Sequence, residues 1–256
     1  MSVLDKIVRD VRVDVQHRAK IKPIDPASID TFERRSLFEA IRRSPDVPLI
    51  TEIKRASPSA GDIRPKLNHV DAAMAMLRGG AISLSVLTEP RYFKGDSAFL
   101  QDIRKVAKVP LLYKNFVLDD YQVYEAAQTG ADVVLLIVKV LGRELQNFMK
   151  LVEKFGMESL VEVTNEEELK HALAVGANLL GVNNRDLNTL AIDLNCTVRL
   201  APMVPDGALL VSESGISSPG DVRKMLDAGA DAMLVGTAIM RDNDIEGKVR
   251  TLVKAR

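Results

Sequence analysis

The chain has 256 residues, of which 46% are hydrophobic and 27% charged, a composition typical of a globular protein with a large buried core. Its 35 basic and 35 acidic side chains balance, which argues against broad attraction to nucleic acid or to an anionic membrane. Cys196 is the single cysteine and no Cys/His cluster has zinc-ligand spacing, so we expect no intramolecular disulfide, no metal site and a reducing, cytoplasmic location.

Residues 1–46 predict two helices ahead of the first strand. The helices run from about Ser2 to Lys20 and from about Asp30 to Arg43, and the proline-bearing segment IKPIDPAS separates them. The first is interleaved with charge, unlike a signal peptide, and no apolar run approaches the roughly 18 residues of a membrane span. We expect this extension to cover a barrel end with its apolar faces, and an oligomer interface is the alternative.

Short apolar runs rich in Val, Ile and Leu recur from Pro48 onward, separated by charged stretches with helical spacing. This alternation predicts a parallel sheet buried on both faces. A Gly-Ala pair precedes every second run, where glycine can take the left-handed conformation that ends a helix. Eight regular units predict an α/β fold, a (β/α)8 TIM barrel over 47–256, in one domain with the N-terminal helical extension. The runs are PLITEIK, ISLSVLT, PLLYKNF, DVVLLIV, SLVEV, NLLGVN, ALLVSES and DAMLVG.

In such a barrel the active site lies at the C-terminal ends of the strands, so polar residues that end the apolar runs mark it. Glu52 and Lys54 end the first run, Lys114 the third and Glu162 the fifth. Because side chains alternate along a strand, Glu52 and Lys54 share a face and point into the barrel mouth together. Further polar residues at run ends are Asn183, Ser212 and Ser214.

Four charged groups that converge from different strands indicate acid-base chemistry. Any one of them taken singly is more often half of a structural ion pair. Burying charge is costly unless it is paired, so we expect a barrel that places two lysines and two glutamates at one mouth to use them. We expect burial to lower the pKa of the lysine and to raise that of the glutamate toward neutrality.

The last two runs predict where a phosphate binds. SESGI contains Gly215 and LVGTA contains Gly236, and small residues let backbone N–H groups approach an anion. We expect the following helix to begin at Ser217-Ser218-Pro219, which places capping donors nearby. Two tight turns are the alternative explanation of these glycines.

Six segments together resemble the signatures of the indole-3-glycerol phosphate synthase family, over essentially the whole chain. The KRxSPS pattern after the first run is the specific part, whereas SESGI and VGT are shared with other phosphate-binding barrels. The segments are EIKRASPSAGDI (52–63), LSVLTEPRYFKG (84–95), YKNFVLDDYQV (113–123), LVEVTNEEEL (160–169), GVNNRDL (181–187) and SESGI (212–216).

The resemblance implies ring closure on 1-(o-carboxyphenylamino)-1-deoxyribulose 5-phosphate, with loss of carbon dioxide and water, to give indole-3-glycerol phosphate. It implies no metal or organic cofactor. It places the general acid at Lys114 and its acid-base partner at Glu162. Glu52 matches the glutamate that orients the lysine and assists dehydration, and Lys54 matches the lysine that serves the phosphate. The same catalytic set includes Asn183 and Ser214.

Substrate-binding positions are implied in the same way. Asn183 and Arg185 hold polar groups of the substrate, its carboxylate included. The aromatic ring is flanked by apolar side chains for which simple burial in the core is an equal alternative. By group, Ser57 and Pro58 line the anthranilate side, Phe93, Phe116 and Leu135 pack the ring, Lys54, Ser214, Gly215, Gly236 and Thr237 bind the phosphate, and Glu213 lies at the edge of the site.

One position departs from the family pattern, because Asn115 follows Lys114 where the family usually has aspartate. If the two side chains are close, the missing carboxylate lowers the pKa of the lysine. Asparagine keeps the shape and a hydrogen-bonding oxygen, so we expect activity to be retained. A second hypothesis is that the small-residue loop Ser57 to Gly61 moves over the substrate.

Other interpretations stay open at this point. Phosphoribosylanthranilate isomerase would share the phosphate elements without needing Lys114 and Glu162 in these roles. A lysine Schiff-base enzyme and a non-catalytic phosphate-binding barrel are also compatible with the fold. The expected partner is a small phosphorylated substrate, with no nucleic acid and no membrane, for a monomer or weak homo-oligomer.

Overall fold

A computed structural model describes residues 2–29 and 33–256. Within these ranges eight parallel strands close a barrel, in which each strand pairs with the next and the last pairs with the first. All eight apolar runs form barrel strands, so the predicted (β/α)8 fold is confirmed. The strands are β1 Leu49–Ile53, β2 Ser83–Leu87, β3 Leu111–Lys114, β4 Val133–Ile137, β5 Glu158–Val163, β6 Leu179–Asn183, β7 Leu209–Glu213 and β8 Ala232–Val235.

Helices follow the strands around the outside of the barrel. Many begin at a polar side chain that accepts N–H groups of the first turn, as Asn68, Asp119 and Ser218 do. Each cap fixes where the preceding loop ends. The helices are Val3–Ile21, Leu37–Arg43, His69–Arg78, Pro90–Phe93, Ser97–Val106, Asp120–Thr129, Val138–Leu141, Leu145–Lys154, Glu166–Ala174, Asn195–Leu200, Pro219–Asp227, Thr237–Arg241 and Ile245–Val253, with 3₁₀ turns at Pro26–Ser28, Gly142–Glu144 and Ala201–Met203.

The glycines of the four Gly-Ala pairs have φ between 90° and 104°, the left-handed region that the sequence predicts. They are Gly80, Gly130, Gly176 and Gly229. At each of these glycines the chain leaves a helix and approaches the next strand.

Two apolar layers hold the barrel together. Outward-facing strand residues such as Leu84, Tyr113 and Leu136 pack under the surrounding helices. Inward-facing residues such as Ile50 and Leu160 fill the barrel interior. Because both faces of every strand are buried, the strands are nearly continuous apolar runs. None of the helices in the described ranges is long and apolar enough to span a membrane.

The N-terminal helix α1 (Val3–Ile21) lies against the C-terminal end of the barrel and buries Leu4 and Ile7. Its Asp10 accepts a 2.6 Å hydrogen bond from the Tyr92 hydroxyl in the loop after β2. Farther along the helix, Arg18 forms an ion pair with Glu125, on the helix that follows β3. The predicted bounds and covering role of this helix are confirmed.

The second helix, α2 (Leu37–Arg43), lies at the opposite end of the barrel. The backbone N–H groups of Leu37 and Phe38 donate to Oε2 of Glu158, the first residue of β5, at 2.8 and 3.1 Å. The sequence predicted that this helix begins near Asp30, which is wrong for residues 33–36, because they are not helical. Ser36 caps the helix, and the backbone N–H of Arg35 donates to Asp132. Residues 30–32 lie outside the described part of the chain. The extension therefore covers both barrel ends.

Candidate active site

The polar strand ends gather around a cavity of about 490 Å³, a volume suited to a small-molecule ligand. Lys114 and Glu162 lie two residues beyond Leu112 and Leu160, which fill the barrel interior, and so share their inward face. Of the residues singled out in the sequence, the cavity is lined by Glu52, Lys54, Phe93, Lys114, Asn115, Phe116, Leu135, Glu162, Asn183, Arg185, Glu213, Ser214, Gly215, Gly236 and Thr237.

Lys114 is the centre of the charged cluster. Its Nζ forms an ion pair with Glu213 and lies 3.5 Å from Oε2 of Glu162. Burial by itself lowers the pKa of this ammonium. The neighbouring carboxylates, Glu213 most and then Glu162 and Glu52, outweigh burial and raise the pKa above its ordinary value. The expectation of a lowered lysine pKa is therefore wrong, because three strands each contribute a carboxylate.

Glu213 lies in the middle of the mouth, not at its edge as expected. Its residue is 1% exposed, and Gly181 on the neighbouring strand leaves the space that its carboxylate fills. Burial raises the pKa of Glu213 to about 7, with Lys114 opposing the shift and Glu162 adding to it. Within the described residues neither Glu162 Oε1 nor Glu213 Oε1 has a hydrogen-bond partner, although both atoms are buried. Neither oxygen is therefore held by a protein donor in the part of the chain that the structure describes.

Glu213→Gln is expected to remove part of the pH dependence of stability. The folded protein holds the Glu213 proton up to a pKa of about 7, whereas an unperturbed glutamate releases it near 4.5. In that window the unfolded chain binds fewer protons, so the free energy of unfolding of the wild type falls as pH rises. Relative to wild type, the variant gains stability across the window in denaturant titrations. Exposed Glu153→Gln is the control, and a pH-independent difference for Glu213→Gln would contradict the assignment.

Glu52 and Lys54 form a second pair beside the first. Lys54 Nζ lies 2.5 Å from Oε1 of Glu52, whose residue is buried. Gly236 on the adjoining strand leaves room for the Glu52 carboxylate, since a methyl group there would overlap it. Glu52 thus forms an ion pair with Lys54 and affects the pKa of Lys114 only through its charge. The mouth holds two lysines that are each paired with a carboxylate.

Arg185 brings a further cation to the cavity from the loop after β6. Its backbone N–H donates to Oδ1 of Asn183 at 3.0 Å, and its guanidinium donates to the carbonyl of Leu190 at 2.7 Å. Burial lowers the pKa of Arg185 and the charge of Glu52 opposes this. Asn183 therefore holds the backbone that presents the arginine.

The apolar side of the mouth lies under the N-terminal helix. Phe93 and Phe116 have ring centroids 6.3 Å apart, tilted by 41°. Ser57 and Pro58 do not line the main cavity but a small side crevice, which both phenylalanines and Leu4 also line. The predicted aryl-binding residues are thus spread over two connected hollows, one of them walled by α1.

The loop after β1 carries the predicted movable segment. Ala56–Ser57 pairs antiparallel with Gly61–Asp62, and Asp62 forms a 2.6 Å ion pair with Lys94 from the loop after β2. That a substrate moves this segment stays a prediction.

Ser214, Gly215, Gly236 and Thr237 form a small-residue rim of the cavity. Ser214 has φ 65° and Gly215 has φ 85°, so two successive residues are left-handed. Buried Asn184 holds this turn, because its Nδ2 donates to the carbonyls of Glu213 (2.9 Å) and Ser214 (3.2 Å). The next helix is Pro219–Asp227 with Ser218 as its cap, as the sequence predicts.

Asn115 also lines the cavity, but its amide is bonded to side chains other than Lys114. Its Nδ2 donates to Thr88 Oγ1 at 2.7 Å and to the Tyr113 hydroxyl at 3.3 Å. That hydroxyl in turn donates to Glu125 at 2.6 Å. No hydrogen bond joins the Asn115 and Lys114 side chains in the described ranges, so the expected pKa effect stays a prediction. Asn115 instead belongs to a buried network that reaches α1 through Glu125.

We predict that Asn115→Asp leaves the pH-rate profile unchanged and lowers the unfolding free energy by about 1–3 kcal/mol. A carboxylate cannot donate to the two hydroxyls, and it competes with Glu125 for the Tyr113 proton. Denaturant unfolding measures the loss, with exposed Asn178→Asp as control. A shifted pH-rate profile would instead restore the tuning hypothesis.

Sequence reasoning missed some residues of the cavity wall. Glu89 is buried there and accepts hydrogen bonds from the backbone N–H groups of Arg91, Tyr92 and Phe93, which fixes the turn that carries Phe93. Its place directly after the second apolar run was a usable signal. Arg241 also lines the cavity, but nothing in its sequence context marks it.

Taken together, the closed barrel and the lysine-carboxylate mouth define an enzyme-like (β/α)8 barrel with a cavity for a small molecule. In the part of the chain that the structure describes, no cluster of three or more His, Cys, Asp and Glu could hold a metal ion. The fold alone resembles thiamine phosphate pyrophosphorylase from Pyrococcus furiosus, with a TM-score of 0.64 and 20% identity over 82% of this chain and 95% of that one.

The chain belongs to the indole-3-glycerol phosphate synthase family, whose profile matches residues 4–252. Curated relatives with that name include one from Dehalococcoides mccartyi, 47% identical over 98% of this chain and 100% of the relative. A Campylobacter hominis relative is 39% identical over 98% of each chain. A Thermoanaerobacter pseudethanolicus relative is 38% identical over 98% of this chain and 97% of its own. These matches favour the synthase over the isomerase and the non-catalytic barrel.

Proposed function

We propose that this protein catalyses the family reaction with Lys114 as general acid and Glu162 as its acid-base partner. The substrate, 1-(o-carboxyphenylamino)-1-deoxyribulose 5-phosphate, closes its ring, loses carbon dioxide and water, and becomes indole-3-glycerol phosphate. The observation that carries the proposal is the Lys114 ammonium held between Glu213 and Glu162 at the cavity floor.

Ring closure needs a proton at the ketone oxygen of the substrate. The aryl carbon that bears the carboxylate attacks the ketone carbon, and Lys114 donates its proton to the oxygen as the new carbon–carbon bond forms. The raised pKa keeps Lys114 charged at neutral pH, so the acid is always loaded and its charge stabilises the developing alkoxide. Loss of carbon dioxide then returns an electron pair to the aromatic ring.

Dehydration follows on the ring-closed hydroxyl compound. The hydroxyl leaves as water after it receives a proton, and the neighbouring methylene loses a proton to give the indole double bond. Glu162 serves this step, since its buried Oε1 has no partner among the described residues. Glu52 assists through the charge it adds to the mouth, and Lys54 carries positive charge toward the phosphate.

The substrate is held at both ends. The phosphate binds at the rim formed by Ser214, Gly215, Gly236 and Thr237, where small residues allow close backbone approach. Arg185 and Asn183 bind the carboxylate, and the anthranilate ring occupies the apolar side. This places the ketone near the centre of the mouth.

Product identification tests the proposal. The chain contains no tryptophan, so indole fluorescence on addition of the substrate reports the product alone. We expect indole-3-glycerol phosphate and carbon dioxide to form in equal amounts. A folded protein that forms neither would overturn the proposal.

The chemistry is distinguishable from that of a lysine Schiff base. A general acid leaves no covalent adduct, so borohydride added during turnover is expected to leave the protein mass unchanged. A mass increase at Lys114 or Lys54 would indicate the imine route instead.

We also propose that residues 1–256 form one domain that works in the cytoplasm as a monomer or weak homo-oligomer, without nucleic acid. The lone Cys196 and the balanced charge support this.

A further inference from the structure

The guanidinium of Arg241 is unpaired at the rim of the cavity. Arg241 ends the helix Thr237–Arg241 and lines the cavity together with Ser217 and Thr237. Within residues 2–29 and 33–256 it has no hydrogen bond or ion pair. By contrast, Arg250 on the next helix pairs with Glu246. An exposed arginine on the cavity wall is therefore available to bind a ligand.

Arg241 is the one cation of the cavity wall that has no partner among the described residues. The other cations of the wall already have partners: Lys54 has Glu52 and Lys114 has two carboxylates, while Arg185 donates to a backbone carbonyl. With every group ionised, the wall has four carboxylates and four cations, so its formal charge is zero only when Arg241 is counted. Loss of Arg241 would leave one formal negative charge on the fully ionised wall, which disfavours a dianion there. The charged wall residues are Glu52, Glu89, Glu162, Glu213, Lys54, Lys114, Arg185 and Arg241.

We propose that Arg241 is a phosphate-binding residue that selects phosphorylated over unphosphorylated ligands. Its planar guanidinium approaches the phosphate from the solvent side and donates two hydrogen bonds to its oxygens. The small-residue rim binds the phosphate from the other side. The inference deepens the proposed function, because it rests on a phosphate at that rim, but it requires no catalysis.

Inorganic phosphate is the direct probe. Titration calorimetry is expected to give a Kd about tenfold higher for Arg241→Gln than for wild type, and an intermediate value for Arg241→Lys. Arg12→Gln is the matched control, since Arg12 is an exposed arginine of α1 that has no partner in the described ranges and does not line the cavity. This control is expected to bind phosphate as the wild type does.

Kinetics separates a binding role from a structural one. With the phosphorylated substrate, Arg241→Gln is expected to raise KM about tenfold and to leave kcat within about twofold. Equal phosphate affinity of wild type and Arg241→Gln, or a wild type that binds no phosphate, would overturn the inference. Tight phosphate binding that depends on Arg241, in a protein that forms no indole, would refute only the proposed function.

Discussion

Lys114→Ala is expected to lower kcat for indole formation by about 10²- to 10⁴-fold, the range that a positioned proton donor contributes. No other ammonium takes its place, because Lys54 is bound to Glu52. Initial rates from indole fluorescence measure the loss. Lys139→Ala is the matched control, since Lys139 is exposed directly after β4 and does not line the cavity.

Loss of the cation also leaves Glu213 and Glu162 facing each other without compensation, which is expected to destabilise the fold. Lys114→Arg therefore accompanies the alanine variant. It keeps a positive charge between the carboxylates, but its planar guanidinium is bulkier and cannot place a proton where the ammonium does. A folded Lys114→Arg protein with near-normal kcat would contradict the assignment of Lys114 as the acid.

Glu162→Gln is expected to lower kcat by about 10²- to 10³-fold through the dehydration step. The amide occupies the same space but cannot exchange the proton that water loss requires. Carbon dioxide is still released, so the ring-closed hydroxyl compound accumulates ahead of indole. Glu167→Gln, an exposed change on the helix after the same strand, is the control. If Glu162→Gln matched this control, the carboxylate would have no part in the chemistry.

The barrel and most of its mouth could be predicted from the sequence for a definite physical reason. Strands buried on both faces are continuous apolar runs, and side-chain alternation then fixes which strand-end residues point inward. The inward-facing Leu112 therefore identifies Lys114, and Leu160 identifies Glu162, through the two-residue period alone.

Features that depend on distant contacts could not be predicted in this way. The start of α2 is set by carboxylates of Asp132 and Glu158, about 100 residues away along the chain. The central place of Glu213 depends on the space above Gly181 on another strand. No local pattern encodes such pairings.

The predicted direction of the Lys114 pKa shift was wrong for the same reason. Burial is visible in the sequence, but the number of carboxylates that surround one ammonium is not. Asn115 shows the converse case: the residue next to Lys114 in sequence has its amide bonded to Thr88 and Tyr113. Proximity along a strand is no guide to contact between side chains.

The division of labour between Lys114 and Glu162 is tested most directly by a rapid-quench single turnover that follows carbon dioxide and indole separately. We expect Lys114→Ala to slow both products together, whereas Glu162→Gln releases carbon dioxide at near the wild-type rate and delays indole. Equal slowing of carbon dioxide release in the two variants would contradict separate roles for the two residues.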